Sequence, residues 1–375
     1  LPLALAFLLA VWALDAAARR PSGRSGAVAG FAVAATFGMK LSALALLPIA
    51  ALLFAAEAWA RPAVERRAWM RRAVAASAAG LLFAYATLVV LYQGDTSLTL
   101  LRFNFWRTVL HVSGGHEAPA FLLGNTDAIG WWYYFPIAYL LKVPAGFQLL
   151  VFAAIGGLFG VWRQAGGGLR DLAAWRGRAP VLGVMVFGAF LMRSDLNAGF
   201  RYALPALPLL AVFASVGAAR LLSGGVGRVV VLVLVVAQAV SVLTVYPHFL
   251  AYSSVLAGGR DEGHRRLSDS NVDWGQGLLE LRTFMQDEGI GSVNLSYFGS
   301  ARPEAYGIEY VALPSFFRLS VPRTRFAAEY PRFTVISATN LQGLYLQGWD
   351  PFALYREREP YAVVGHSLFV FDEQS

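Results

Sequence analysis

Three long uncharged runs constrain the fold of this chain more than any other feature. Residues 73–92, 144–162 and 229–246 are apolar throughout, and each is close to the length of helix that crosses a bilayer. The mean hydropathy is +0.53, and only 14% of the 375 residues are charged. A soluble domain of this size does not need such runs. The sequence therefore predicts a polytopic α-helical membrane protein.

The charges are divided unequally along the chain. Residues 1–246 hold 20 Lys and Arg against 8 Asp and Glu, whereas residues 247–375 hold 11 against 15. The net charge of +8 therefore originates in the apolar part, where basic residues usually report orientation in a membrane. We expect no nucleic-acid partner. The chain has no cysteine, which excludes disulfides and Cys-ligated metals.

Most basic residues before position 247 fall into four clusters, and the positive-inside rule places all four on the cytoplasmic side. The clusters are Arg19, Arg20 and Arg24; Arg61, Arg66, Arg67, Arg71 and Arg72; Arg163, Arg170, Arg176 and Arg178; and Arg220 and Arg228. An even number of spans must then separate consecutive clusters. Residues 27–60 are therefore predicted to form a hairpin with its apex at 38–40.

About eight spans follow from this arrangement, at residues 1–18, 27–38, 42–59, 73–92, 137–162, 179–193, 203–220 and 229–246. The first is interpreted as a stop-transfer helix rather than a signal peptide, because arginines follow it and no basic residue precedes it. Since the chain opens on Leu1, we expect it to lack its true N-terminus.

Two segments are predicted to lie outside the membrane. Within residues 93–136, "LTLLRFNFWRTVLHV" is typical of an amphipathic interfacial helix, and residues 131–135 suit an aromatic belt. Residues 247–375 form the second predicted domain, beside a membrane module at 1–246. There "GQGLLELRTFMQDEG" predicts a helix, while "SVNLSYFGS", "RFTVISATN" and "YAVVGHSLFVFD" predict strands. The expected fold class is a helical membrane protein with a C-terminal extracytoplasmic α/β domain.

Six basic residues lie outside both the four clusters and the C-terminal domain. They are Lys40, Arg102, Arg107, Lys142, Arg193 and Arg201. Each could simply extend to lipid headgroups. However, Lys40 and Lys142 are the only two lysines in the chain, and an ammonium beside a guanidinium suits a phosphate. Lys40, Lys142 and Arg201 are therefore predicted to bind a phosphate group.

Further polar residues are candidates for lining a cavity. Asp195 and Asn197 precede Arg201 at a helix mouth that Pro205 and Pro208 loosen. In "SDSNVDWGQG", the candidates for lining the cavity or orienting the acceptor are Asp269, Asn271, Asp273 and Trp274. Asp273 could instead simply cap the following helix, whereas capping does not need both Asp269 and Asn271. His111, His116 and Glu117 are a weak metal signal, so His116 is retained only as a cavity candidate and no metal or other cofactor is predicted.

Six motifs occur in an order that resembles a known superfamily. They are "GMKLSALALLP", "GWWYYFPIAYLLKVP", "LNAGFRYALPALP", "YPHFLAYSSVLAGG", "LSDSNVDWGQGL" and "LSYFGSARPEAYGI". From about Phe31 to the C-terminus, the chain resembles bacterial polyprenyl-phosphate-dependent glycosyltransferases of the GT-C superfamily. The relatives in question are the protein O-mannosyltransferase-like and lipid A aminoarabinose transferase-like enzymes.

The resemblance implies an integral membrane hexosyltransferase of a bacterial plasma membrane. Its donor would be a polyprenyl-phosphate sugar, and transfer to an extracytoplasmic acceptor would invert the anomeric carbon. The catalytic Asp of such enzymes is expected upstream of Leu1, so neither Asp195 nor Asp269 is promoted in its place. Protein hydroxyls, lipid A and cell-wall glycans all remain candidate acceptors.

Two other classes of protein stay open at this point. A transporter or flippase also needs polar groups at a membrane face, but it usually has repeated halves, which this sequence lacks. A non-catalytic subunit that binds a lipid-linked sugar would need the same cations without a base.

Overall fold

The computed structural model describes residues 1–113, 119–164, 166–175, 177–259, 262–317, 331–346, 348 and 350–374. The chain divides into two compact units. Unit 1 comprises residues 1–114, 146–194 and 202–235, and unit 2 comprises residues 115–145, 195–201 and 236–375. The predicted boundary after residue 246 thus falls within the last segment of unit 2.

The helices of unit 1 are α1 (Pro2–Arg19), α2 (Gly23–Met39), α3 (Leu46–Ala60), α4 (Ala63–Leu91), α5 (Thr99–Ser113), α7 (Ala145–Gln164), α8 (Leu169–Ala174), α9 (Arg178–Met192) and α10 (Ala206–Leu221), and α11 (Gly225–Leu243) begins there. Helix α6 (Tyr134–Lys142) belongs to unit 2. A 3-10 segment, Leu41–Ala45, links α2 to α3.

The predicted hairpin over residues 27–60 is confirmed as two helices with a 3-10 connection. Both α2 and α3 pack against α1. The far end of α3 returns to the end of α1, because the Arg61 guanidinium donates to the Arg19 carbonyl over 2.9 Å. The chain therefore travels away along α2 and back along α3.

Small residues allow α2 and α4 to pack closely side by side. A Cβ at Gly26 would lie 1.9 Å from the Ala76 carbonyl oxygen, and one at Gly30 would lie 1.9 Å from that of Gly80. Only glycine permits this approach, as at many helix contacts inside membranes. Since Gly26 meets Ala76 and Gly30 meets Gly80, the two helices run in parallel and end on the same side of unit 1.

Within the part of the chain that the structure describes, five helices are long and apolar enough to cross a membrane, namely α1, residues 41–60, α4, α7 and α11, and two shorter apolar helices are α9 and α10. Helix α11 has no buried residue. Exposed apolar side chains cover α4 and α11, for example Leu81 at 74% and Leu232 at 62% exposure. A surface so apolar is compatible with contact to lipid. The count of eight spans stays a prediction.

The single span predicted at residues 137–162 is wrong, because the chain breaks into α6 and α7 at Val143 and Pro144. Proline lacks an N–H group and disfavours a helical residue before it. The predicted span at 203–220 likewise begins later. Residues Phe200–Ala203 form a 3-10 turn, and α10 starts at Ala206, directly after Pro205.

Unit 2 contains a five-stranded sheet in the order β4-β3-β5-β7-β6. The strands are β3 (Val293–Ser296), β4 (Tyr310–Ala312), β5 (Phe333–Ser337), β6 (Ala362–Val364) and β7 (Leu368–Asp372), and a separate hairpin pairs β1 (Ala120–Leu122) with β2 (Asn125–Asp127). Strand β3 is parallel to β4 and β5, while β7 is antiparallel to β5 and β6.

The two faces of this sheet bury different clusters. One face packs against α12 (Leu278–Asp287) through Leu278, Leu281 and Met285. The other face, with Phe369 and Phe371, packs around α13 (Ala338–Leu341) and Phe352. The predicted helix ending before Gly289 and the three predicted strand regions are confirmed, whereas β4 was not predicted. A small α/β domain at the C-terminus is thus present.

Candidate functional site

Charged side chains gather at one end of unit 1 and form a closed ion network there. The Arg178 side chain is 4% exposed and lies between two carboxylates, 3.3 Å from Asp15 and in a short hydrogen bond to Glu57. Arg19 pairs with Asp15 over 2.6 Å, and Arg61 pairs with Glu57 over 2.7 Å. We call these five residues the paired end.

The paired end brings together residues from the first three predicted basic clusters. Arg19, Arg61 and Arg178 each belong to a different cluster, and Arg170 also reaches the Ala60 carbonyl over 3.4 Å. Arg176 lies outside the described residues. The three clusters therefore meet at one end of unit 1. The predicted even number of spans between consecutive clusters requires this geometry.

The opposite end of unit 1 contains an open pocket of about 350 Å³. Helices α2 and α4 start beside the paired end and finish here. The pocket is lined by Phe37, Gly38, Met39, Lys40, Leu41, Tyr92, Asn104, Arg107 and Thr108. Two of these residues are cations, and none of the lining residues that the structure describes is a carboxylate. We call this cavity the Lys40 pocket.

Helix α5 supplies the polar wall of the Lys40 pocket. Asn104, Arg107 and Thr108 are spaced at i, i+3 and i+4, so they share one face of the helix. Asp95 holds the start of α5, since its carboxylate accepts the Thr99 N–H over 2.7 Å. Hydrogen bonds from Ser97 and from the backbone of α5 lower the pKa of Asp95. Lys40 itself lies over the Tyr202 ring, with Nζ 4.3 Å from the ring centre.

The predicted site residues did not include Asn104, Thr108 or Tyr92. Arg107 was predicted only as one of the six basic residues outside the four clusters. The i, i+3, i+4 pattern on a helix already predicted as amphipathic was the available signal. No such sequence signal pointed to Tyr92, because its position depends on how α4 ends beside α2.

In unit 2 the polar loop of residues 268–277 is built around Asn271, which is 2% exposed. Its side-chain amide donates to the Tyr134 hydroxyl over 2.9 Å, and its side-chain oxygen accepts the Phe200 N–H over 2.8 Å. Asn271 therefore joins the loop to α6 and to the segment before Arg201. Ser270 strengthens this attachment with a 2.5 Å hydrogen bond to the Ala198 carbonyl.

Lys142 is enclosed by the same loop. Its ammonium donates to the carbonyl oxygens of Leu250 over 2.9 Å, Asn271 over 2.5 Å and, more closely still, Tyr252. An ammonium has three donors, so these three acceptors use all of them. In this structure Lys142 joins the end of α6 to the loop and offers no N–H to a phosphate.

The two aspartates of the loop have different surroundings. Asp269 has a left-handed backbone with φ of +57°, and its carboxylate accepts the Tyr345 hydroxyl over 2.8 Å and the Ser270 N–H over 2.6 Å. Burial and the Asp269 charge raise the pKa of Tyr345, which therefore stays protonated and donates.

Asp273 is fully buried and accepts the Gly275 N–H over 3.0 Å. Burial raises its pKa to about 7. The alternative that Asp273 caps a helix is excluded, since α12 begins after Gly277 with no side-chain cap.

Trp274 and Arg201 form the exposed part of this region. Trp274 is 49% exposed, and the Arg201 guanidinium carbon lies 5.1 Å from its ring centre. Behind Trp274, four aromatic rings pack together: Phe298, Phe316, Phe317 and Tyr345. Sequence reasoning identified Trp274 and missed these four, which come from three separate segments of the chain.

The remaining candidates are dispersed. Asp195 and Asn197 line a cleft that holds only about 10 Å³, beside Tyr345. His116 and Glu117 lie outside the described residues, and only the helical backbone of His111 is described. Within the described part of the chain, no group of three His, Asp or Glu side chains is placed to hold a metal.

Lys40 belongs to unit 1, whereas Arg201 and Lys142 belong to unit 2. No family model, no curated protein and no solved structure matches the chain.

Proposed function

We propose that this chain is part of a membrane glycosyltransferase that takes a sugar from a polyprenyl-phosphate carrier and passes it to an extracytoplasmic acceptor. The Lys40 pocket is the observation that carries the proposal. Two cations, Lys40 directly after α2 and Arg107 on α5, line one cavity. A phosphate monoester or diester is the ligand that such a pair binds best.

The same arrangement suits the chemistry of transfer. The acceptor hydroxyl oxygen bonds to the anomeric carbon on the face opposite the phosphate, and the bond between that carbon and the phosphate oxygen breaks. The phosphate leaves with the bonding electrons and gains negative charge. Cations fixed where this charge develops lower the barrier. Lys40 and Arg107 are assigned this role in unit 1, and Arg201 is assigned sugar or phosphate contact in unit 2.

Neither buried aspartate of the loop is proposed as the base that takes the hydroxyl proton. Both carboxylate oxygens of Asp269 already accept hydrogen bonds, and Asp273 is enclosed within unit 2. The loop instead positions Arg201 and Trp274, because Asn271 and Ser270 bind the backbone of the segment that precedes Arg201.

The orientation follows from the two ends of unit 1. We place the paired end in the cytoplasm of a bacterial plasma membrane, because it gathers three basic clusters. The Lys40 pocket and the C-terminal domain then face outward. A reporter active only in the cytoplasm should work after Gly167, and one active only outside should work after Gly259; the reverse result at both sites contradicts this orientation.

A transfer assay tests the activity. The full-length gene product in lipid vesicles should release polyprenyl phosphate from at least one polyprenyl-phosphate sugar, and Arg201→Ala should lower the rate about ten- to a hundredfold. Arg24→Ala, which removes an exposed cation near the paired end, is the control. Equal rates for the Arg201 variant and the wild type overturn the assignment of Arg201, and donor binding without release favours a non-catalytic subunit.

A further inference from the structure

The segment that follows α11 in unit 2 continues an uncharged run of the sequence. No Asp, Glu, Lys or Arg occurs between Arg228 and Arg260, although α11 itself ends at Leu243. Helix α11 has 19 residues, which is already about the length that crosses a bilayer. Residues 244–259 therefore extend the uncharged run beyond the part that a membrane span needs.

This segment carries exposed apolar side chains on either side of a buried stretch. The exposed side chains, which we call the apolar patch, are those of Tyr246, Phe249, Leu250, Val255 and Leu256. Two short 3-10 turns, which begin at Phe249 and Val255, bear four of them. The rings of Tyr246 and Phe249 meet nearly edge to face, with 5.8 Å between their centres. The stretch between the turns is buried, so it attaches the patch to unit 2.

Hydrogen bonds fix the buried stretch to two helices. The Tyr252 hydroxyl lies 2.9 Å from the Ser241 hydroxyl of α11. The Ser254 N–H donates to the Leu141 carbonyl at the end of α6 over 2.8 Å. Lys142, the next residue of α6, donates to the Tyr252 carbonyl. Because α6 and α11 both hold this backbone, the apolar side chains on either side of it are kept at the surface.

The one imidazole of the segment is turned away from the patch, toward the C-terminal domain. His248 Nε2 lies 3.5 Å from the Glu280 carboxylate of α12, and its side chain is 12% exposed. The His248 ring also packs edge to face against His366, with 5.9 Å between ring centres. The surface that the patch presents is therefore apolar and aromatic, without a charged group of its own.

The apolar patch continues the surface of α11. This helix is apolar enough to cross a membrane and has no buried residue, and Tyr246 follows shortly after its last residue, Leu243. Aromatic side chains are enriched where a span meets the headgroups, and apolar surfaces commonly lie about 5–10 Å deep at that boundary. We propose that the apolar patch inserts into the lipid interface beside the end of α11 and holds unit 2 against the bilayer. Since the patch is uncharged, it does not require anionic lipid.

This docking also fixes the position of the polar loop of residues 268–277. The Lys142 ammonium that holds the Tyr252 carbonyl donates to the Asn271 carbonyl as well. One side chain thus joins the membrane-facing segment to the loop that bears Trp274. If the proposed transfer from a lipid-linked donor is correct, the patch keeps this loop close to the bilayer in which that donor lies.

The test uses the fact that the chain has no cysteine, so a single introduced cysteine is the only thiol available for a nitroxide label. Val255→Cys and Leu256→Cys label the patch of the whole chain in phosphatidylcholine nanodiscs. Val236→Cys, exposed on α11, is the lipid reference, and Leu354→Cys, exposed beside Tyr355, is the aqueous reference. Power saturation then compares collisions with oxygen, which is enriched in lipid, and with a water-soluble nickel chelate.

We expect both patch labels to lie about 5–10 Å below the lipid phosphates. The Val236 label should lie deeper, since Val236 is about 10 Å further along the helix axis than Leu243, and the Leu354 label should lie in water. Patch labels that nickel reaches as freely as Leu354 overturn the proposal. Patch labels that neither oxygen nor nickel reaches also overturn it, because protein then covers the patch. A Val236 label in water does so too, since α11 then does not cross the membrane.

Thermal melting of each labelled variant checks that the fold is kept, and Phe249→Cys replaces any patch variant that melts at a lower temperature. The measurement contains no sugar donor. A contrary result therefore removes the docking surface and leaves the proposed glycosyl transfer to its own assay.

Discussion

The two ends of unit 1 use the same kinds of side chain for opposite purposes. At the paired end every cation of the network contacts a carboxylate: Arg19 contacts Asp15, Arg61 contacts Glu57, and Arg178 contacts both. In the Lys40 pocket two cations share a cavity whose described lining has no carboxylate. The difference is that the cations of the paired end are held by carboxylates, whereas Lys40 and Arg107 line an open cavity.

Unit 2 shows two further ways of accommodating a buried ionisable group. Three backbone carbonyls take up the donors of Lys142. Asp273 is buried and held by hydrogen bonds from its own neighbourhood, among them the Gly275 N–H. Both groups are thereby fixed in structural roles. Lys40 and Arg107 differ from them because a cavity lies in front of them.

The largest effect is expected from breaking the paired end. Arg178→Met leaves Asp15 and Glu57 with less compensation in a buried site, which typically costs about 3–5 kcal/mol. Thermal unfolding in detergent should therefore show a strongly lowered Tm. The matched control Arg24→Met, at an exposed position, should change stability by less than about 0.5 kcal/mol. Equal melting of the two variants would mean that the network contributes nothing to the fold.

The next effect concerns the buried carboxylate of Asp273. Burial raises the pKa of Asp273 to about 7, above the value of about 4 in an unfolded chain. The folded state thus binds the proton more tightly, so the free energy of unfolding falls as the pH rises from about 4 to about 7, by up to about 1.4 kcal/mol per pH unit. Above pH 7 this decrease levels off.

Asp273→Asn should remove that part of the pH dependence, since an amide does not titrate in this range. Melting curves of both proteins between pH 5 and pH 8 provide the measurement. Parallel pH profiles for wild type and variant would show that Asp273 is ionised in the folded state throughout this range.

A smaller effect should follow from adding a carboxylate to the Lys40 pocket. Asn104→Asp places a carboxylate on the α5 face that carries Arg107, one turn away. An exposed pair of this kind is worth about 0.2–1 kcal/mol, so affinity for a polyprenyl phosphate should fall about two- to fivefold. Thr108→Ser keeps the lining neutral and should have little effect. An unchanged or higher affinity in Asn104→Asp would show that the pocket does not bind an anion.

Sequence patterns predicted the features that depend on local spacing. The basic flanks of residues 27–60 predicted the α2–α3 hairpin, and β-rich runs bounded by turn residues predicted β3, β5 and one further strand region, which the structure divides into β6 and β7. The break between α6 and α7 was also accessible, since Pro144 stands within the predicted span. The face of α5 with Asn104 and Arg107 follows from helical periodicity alone.

Other features could not be predicted, because they depend on residues far apart in the chain. Arg178 meets Asp15 only after α1 and α9 pack together, so the basic cluster that contains Arg178 did not show that it would pair with Asp15. Lys142 was predicted as a phosphate ligand because it is a rare lysine, whereas its position is set by carbonyls more than a hundred residues away. For the same reason the sequence left both a helix cap and a cavity role open for Asp273 and did not show that its carboxyl group is buried.

The most direct test of the central claim measures phosphate-lipid binding at the Lys40 pocket. Purified chain in nanodiscs is titrated with a polyprenyl phosphate, and Kd is compared for wild type, Lys40→Gln, Arg107→Gln and the exposed control Arg24→Gln. Removing either pocket cation should weaken binding about ten- to a hundredfold, and the control should bind like the wild type. If Lys40→Gln and Arg107→Gln bind polyprenyl phosphate as tightly as the wild type, the pocket is not the phosphate site and the account is contradicted.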